Sequence, residues 1–145
     1  MKNLLVAVTM LLSLTLLGCS GGDKHKLEGT WRLVSRTQTV ADTVAVHPRG
    51  EYLAMMMMFR NRIASFSRYS EKGDTSYGYA EGTYDIVGND LTARYEYHVD
   101  PTLVGKDITW DVNVRGDSLA MKGPRKVGEK QDTIWQVDEV WTRVK

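Results

Sequence analysis

Four consecutive methionines, Met55 to Met58, and an alternating row of Glu96, His98 and Asp100 are the side chains whose types and spacing first suggest chemistry. Thioethers hold soft ions such as Cu(I), and a carboxylate–imidazole–carboxylate row supplies half of a metal site. Both stretches read as strands. Neighbours then point to opposite faces, and same-face residues stand about 6.6 Å apart. Two thioethers of one strand would have to bend toward a shared ion, and no Cys or His lies close in sequence to help. The expectation for 51–60 is therefore a strand covered on both faces, with Met as an adaptable filler. Leu53, Met55, Met57 and Phe59 share one face; Ala54, Met56 and Met58 share the other. Met55 and Met57 are the pair assigned to any ligand cavity. Glu96, His98 and Asp100 lie opposite an apolar row and are expected on a solvated outer face.

Arginines and tyrosines are the next polar groups able to hold a ligand. Arg60, Arg62, Arg68 and Arg94 fall on central strands, together with Tyr69, Tyr77, Tyr79, Tyr84, Tyr95 and Tyr97. A buried guanidinium needs an anionic partner, so the default for each arginine is outward into water. The candidate ligand contacts are Arg68, Tyr95, Tyr97 and Trp110, beside Met55 and Met57. Arg115-Gly116-Asp117 matches an adhesion tripeptide, but those residues equally suit a tight hairpin turn. No Gly-x-Ser-x-Gly, Gly-rich phosphate loop or His-Glu-x-x-His is present. No catalytic residue, metal or cofactor is assigned, and an enzyme is not expected.

The 145 residues suggest one domain preceded by a processed segment. Lys2 opens the chain, and an apolar run of about 14 residues extends from Leu4 to Leu17. That is signal-peptide length and short of the roughly 20 residues of a comfortable membrane span. It ends in Leu16-Leu17-Gly18-Cys19, which resembles the bacterial lipobox. The resemblance implies removal of residues 1–18 and lipidation, with palmitate among the acyl chains, at Cys19. A thiol is the nucleophile such transfer needs, and the small Gly18 leaves the backbone open to a peptidase. Several acyl chains, at about 0.8 kcal/mol per buried methylene, anchor a protein stably. Cys19 is the one cysteine, so no disulfide forms within the chain. Residues 19–26 read as the lipidated cysteine and a flexible polar tether. Ser20 after the cysteine resembles an outer-membrane sorting signal of Gram-negative envelopes. With Lys2 removed, basic and acidic residues balance, which argues against a nucleic-acid partner.

From Leu27 the texture is β: short runs of Val, Thr, Tyr and Trp between Gly, Asn, Asp and Pro signals. Strands are predicted over 28–39, 51–60, 63–70, 76–87, 91–99, 107–115, 117–122 and 132–144. Gly88-Asn89-Asp90, Arg115-Gly116-Asp117 and Glu71-Lys72-Gly73-Asp74 read as turns, and Asp100 to Gly105 as a short helical turn. Leu91, Ala93, Tyr95, Tyr97 and Val99 share one face; Trp110, Val112 and Val114 share another. Trp135, Val137 and Trp141 form a third row, interrupted by Glu139. About eight strands with short links predict an all-β, antiparallel up-and-down sheet that closes into a barrel of about 8–10 strands and so removes its edges.

The domain opens with Leu27-Glu28-Gly29-Thr30-Trp31-Arg32-Leu33-Val34-Ser35 and closes with Glu139-Val140-Trp141-Thr142-Arg143-Val144-Lys145. With Gly82-Thr83-Tyr84 and the Val114 to Leu119 hairpin, residues 27–145 resemble the small lipocalin-like, or calycin, domains found among bacterial lipoproteins. The resemblance implies that Trp31, after Gly29, lies across one end of the barrel with Arg143 packed over it. A guanidinium on an indole face contributes about 0.5–2 kcal/mol and ties the last strand to the first. Relatives that bind fatty acids hold the carboxylate with inward arginine and tyrosine. The implied function is a membrane-anchored protein binding a small hydrophobic or amphipathic ligand inside the barrel. The alternative is an envelope structural or interaction subunit whose barrel is filled by its own side chains.

Overall fold

A computed structural model describes residues 22–40, 43–47, 51–71, 73–128 and 135–145. The signal segment, Gly18 and Cys19 lie outside the described residues. A short helix α1 (Gly22–Leu27) leads into nine strands. They are β1 (Gly29–Val40), β2 (Thr43–His47), β3 (Tyr52–Phe59), β4 (Arg62–Glu71), β5 (Asp74–Val87), β6 (Asp90–His98), β7 (Asp107–Arg115), β8 (Ser118–Val127) and β9 (Trp135–Arg143). Asp100 caps a 3-10 turn over Pro101–Leu103 by accepting the Thr102 N–H.

Consecutive strands pair antiparallel from β3 to β9, and β9 returns to β1 from Trp31↔Arg143 to Val40↔Trp135. The first half of β1 pairs with β3, and its second half with β2. Eight strands therefore close the ring, and β2 flanks it as a ribbon on β1. The closed antiparallel barrel predicted from the sequence is what forms. β2 was not among the predicted strands. It is short, Thr43 to Val46 are exposed, and no buried face marks it. The helix α1 overlaps the end of the polar tether read over 19–26.

Tight links follow the expected chemistry. Gly88, Gly116 and Gly73 adopt positive φ at the β5–β6, β7–β8 and β4–β5 turns, which glycine does without steric cost. The Arg-Gly-Asp stretch makes the β7–β8 turn. Asp117 there accepts the Arg143 N–H at 2.9 Å on its carbonyl and pairs with Lys145 at 3.3 Å through its carboxylate.

One end of the barrel is solid. Leu27, Trp31, Met58, Ile63, Leu91 and Leu119 are fully buried there or nearly so. Trp31 donates its indole N–H to the Leu27 carbonyl at 2.8 Å, which satisfies the one polar atom it buries. Arg143 stands 4.3 Å from the Trp31 ring centre and donates to the Lys26 carbonyl at 2.8 Å and to the Glu28 carbonyl. Gly29 sits beneath the guanidinium at φ 133, where an added Cβ would lie 2.6 Å from Arg143 Nη1. A close approach and a positive φ thus both require glycine at this position.

Candidate functional site

The other end is hollow. An open-mouthed cavity of about 460 Å³ enters the barrel, within the size range of small-molecule sites. Its wall is apolar and aromatic: Ala54 and Met56 from β3, Tyr95 from β6, Ile108 and Trp110 from β7, Met121 from β8 and Trp141 from β9. Leu103 of the 3-10 turn closes one side of the mouth.

A charged pair interrupts this wall. Arg36 of β1 and Glu139 of β9 face each other in register and form an ion pair through Nη1 and Oε1. Their side chains are only 17% and 7% exposed. The second carboxylate oxygen accepts the Trp141 indole N–H at 3.1 Å. Arg36 also donates to Gln38 at 3.3 Å and lies 4.7 Å from the Tyr52 ring centre. Its Nε is buried with no hydrogen-bond partner. Burial pushes the Glu139 carboxyl above its ordinary range, and the Arg36 charge opposes that shift. The Tyr95 hydroxyl is pushed up to about 12, first by burial and then by the Glu139 charge. Tyr95 is thus a neutral phenol at physiological pH.

His98 stands at the rim, with its ring 5.2 Å from that of Tyr95. Its Nδ1 lies 2.9 Å from the Asp100 backbone N and 3.1 Å from the Asp100 carbonyl oxygen. Asp100 is held below the ordinary carboxylate range by hydrogen bonds from Thr102.

The expected site residues divide cleanly. Tyr95 and Trp110 line the cavity. Met55 and Met57 do not. They are 46% and 56% exposed on the outer face, while Met56 and Met58 are 3% and 1% exposed. The two-faced alternation was right, but the inward pair is the other one, beside Ala54, and the strand is not covered on both sides. The small Ala54 and the exposed Phe59 mark the true parity. Arg68 is exposed on the outer face of β4, opposite Leu53 of β3 and Tyr77 of β5, and cannot reach the cavity. Tyr97 is likewise outside. Arg62 and Arg94 are outward too, paired with Glu96 at 2.6 Å and with Asp107 at 3.1 Å.

Two bulges explain why Tyr97 turns out and why His98 and Arg36 turn in. On β6, Tyr95 pairs with Gly82 and Tyr97 with Glu81, so Glu96 is an extra residue. Inward parity passes from Tyr95 to His98, which turns Tyr97 out and the expected outer His98 in. An added Cβ at Gly82 would meet the Arg94 carbonyl, and this close approach lets β5 follow the bulge. On β1, Leu33 pairs with Trp141 and Ser35 with Val140, leaving Val34 extra. Inward parity passes from Trp31 and Leu33 to Arg36 and Gln38. Sequence reasoning passed over Arg36. Glu139 on the apolar face of β9 was the available signal, because a buried carboxylate calls for a cation opposite. Among the described residues no group of three His, Cys, Asp or Glu is placed to hold a metal ion.

A closed antiparallel barrel, solid at one end and hollow at the other, defines a protein able to enclose a small molecule. The chain belongs to the lipocalin-like domain family, whose pattern matches residues 27–121. Among solved structures, it is similar to a lipocalin-like protein from Bacteroides uniformis, with 13% identity over 82% of this chain and 99% of that one, and a TM-score of 0.45. No protein of curated function matches.

Proposed function

We propose that this chain is a lipid-anchored envelope protein that carries a small hydrophobic or amphipathic ligand inside its barrel. The observation that supports it is the cavity of about 460 Å³, whose largely apolar and aromatic wall carries the Arg36–Glu139 ion pair and a few further polar groups, among them Ser65, Ser67 and His98. Apolar walls supply affinity, and the few convergent polar groups fix orientation. The Leu16-Leu17-Gly18-Cys19 ending supports the anchor, and Ser20 after it supports an outer-membrane location. Native mass spectrometry of the mature protein, released gently from the envelope, tests both parts. Extra mass that leaves on denaturation identifies a cargo, and the mass of the amino-terminal peptide reads acylation at Cys19. A ligand-free barrel that melts at the same temperature with and without a panel of lipids and hydrophobic metabolites would remove the binding reading.

The second reading, an interaction subunit, has its own observation. Met55, Met57, Phe59 and Phe66 are exposed together on β3 and β4, with Met55 directly opposite Phe66. A contiguous apolar face on an outer wall marks an interaction site. Charged substitutions at Met55 and Met57 separate the two readings, because they would abolish a partner contact there and leave cavity binding intact.

A further inference from the structure

The charges around the cavity are few and nearly cancel. Arg36 and Glu139 are already paired with each other. The Asp100 carboxylate sits at the rim, where it accepts hydrogen bonds from Thr102 N at 2.9 Å and Thr102 Oγ1 at 2.7 Å. Among the described residues no lysine and no second arginine lines the cavity.

We infer that the cavity takes an uncharged amphiphile, with a hydroxyl, ester or amide head, in preference to a carboxylate of the same chain length. The inference rests on the reading of the barrel as a ligand carrier. An inward arginine ordinarily captures a carboxylate through two parallel N–H bonds. Here that fork is occupied: Nη1 bonds Glu139 and Nη2 bonds Gln38. Nε is buried and not itself open to the cavity. A carboxylate would give up its hydration and lie beside Glu139, whose charge already cancels that of Arg36. It would also enter past Asp100. A neutral head meets neither repulsion and loses far less hydration.

The Glu139 carboxylate is the determinant of this choice. Glu139→Gln keeps one oxygen, enough for either Arg36 or Trp141, and leaves the guanidinium charge uncompensated. That variant should therefore admit the carboxylate that the native cavity refuses.

The test uses the full chain carrying Cys19→Ser in detergent-free buffer, because lipid and detergent are themselves amphiphiles. Trp110 and Trp141 line the cavity and supply the fluorescence signal. Decanol and decanoate are titrated at neutral pH. Decanol should bind at least about tenfold more tightly, and Glu139→Gln should narrow that ratio at least about tenfold, which corresponds to about 1.4 kcal/mol. Decanoate binding as tightly as decanol, or more tightly, overturns the inference and leaves the carrier reading standing. Failure of both probes to bind overturns the two together. Should Glu139→Gln not fold, as its thermal melt would reveal, the comparison in the native cavity decides alone.

Discussion

Removing one member of the Arg36–Glu139 pair strands the other in a wall that excludes most water. Glu139 is 7% exposed and Arg36 17%, so neither charge can turn out to solvent without moving its strand. Breaking a buried pair costs about 3–5 kcal/mol, and the open mouth of the cavity argues for the low end. We therefore expect Arg36→Met and Glu139→Met each to lose about 3 kcal/mol. The double variant buries no charge. It should lose no more than about half of the summed single losses, through the hydrogen bonds given up by Gln38 and Trp141. Urea unfolding of all four proteins, followed by circular dichroism, closes the cycle. Losses that add to within about 0.5 kcal/mol would refute a coupled buried pair.

The pH dependence of Arg36→Met carries the same argument further. Without Arg36, the main influence lowering the Glu139 pKa is gone, and burial raises it further. A carboxyl raised in the folded state binds more protons folded than unfolded. Its contribution to stability is present below the unfolded value and lost as pH rises through the folded one. The penalty of Arg36→Met should therefore shrink in mild acid and be largest at neutral pH and above. A penalty independent of pH from mild acid to neutrality would mean that water reaches Glu139 freely.

Three further outcomes follow from the packing. Met56→Ala and Met58→Ala should each cost about 2–5 kcal/mol by urea unfolding, whereas Met55→Ala and Met57→Ala, on the exposed face, should stay within about 0.5 kcal/mol. Gly29→Ala should cost more than about 1 kcal/mol, since it strains a φ of 133 and presses on Arg143; Arg143→Ala should relieve part of that cost in the double variant. Glu81 is held below its ordinary pKa by hydrogen bonds from Tyr79 and Arg62, and Asp100 by Thr102. Each adds stability above its unfolded pKa that is lost as pH falls through its folded one, so Tm should drop on the acid side and Glu81→Gln with Asp100→Asn should flatten that limb.

What the sequence conveyed and what it hid divide along one physical line. Alternation with period two reports which residues share a face while the strand stays regular, and it placed Tyr95, Trp110, Val112 and Trp141 with the core. The Gly29, Trp31 and Arg143 cluster was legible through the resemblance of the two ends of the domain to the lipocalin-like pattern. Alternation does not name the inward face where both faces are apolar, as in Leu53 to Phe59, and there the wrong methionine pair was assigned to the cavity. Nor does it survive a bulge. Both residues that turn this barrel from a filled core into a polar-tipped cavity, Arg36 and His98, lie just past an extra residue, Val34 on β1 and Glu96 on β6. Regular alternation from Trp31 and Leu33 would have carried Val34 and Arg36 outward together and left Glu139 without its cation. The bulge re-aims Arg36 at the one carboxylate on the inner face of β9. A site that depends on breaking the period of its own strands is hidden from a reading that assumes the period, and unpaired apparent charges on an apolar face, such as Glu139, are the places to look for it.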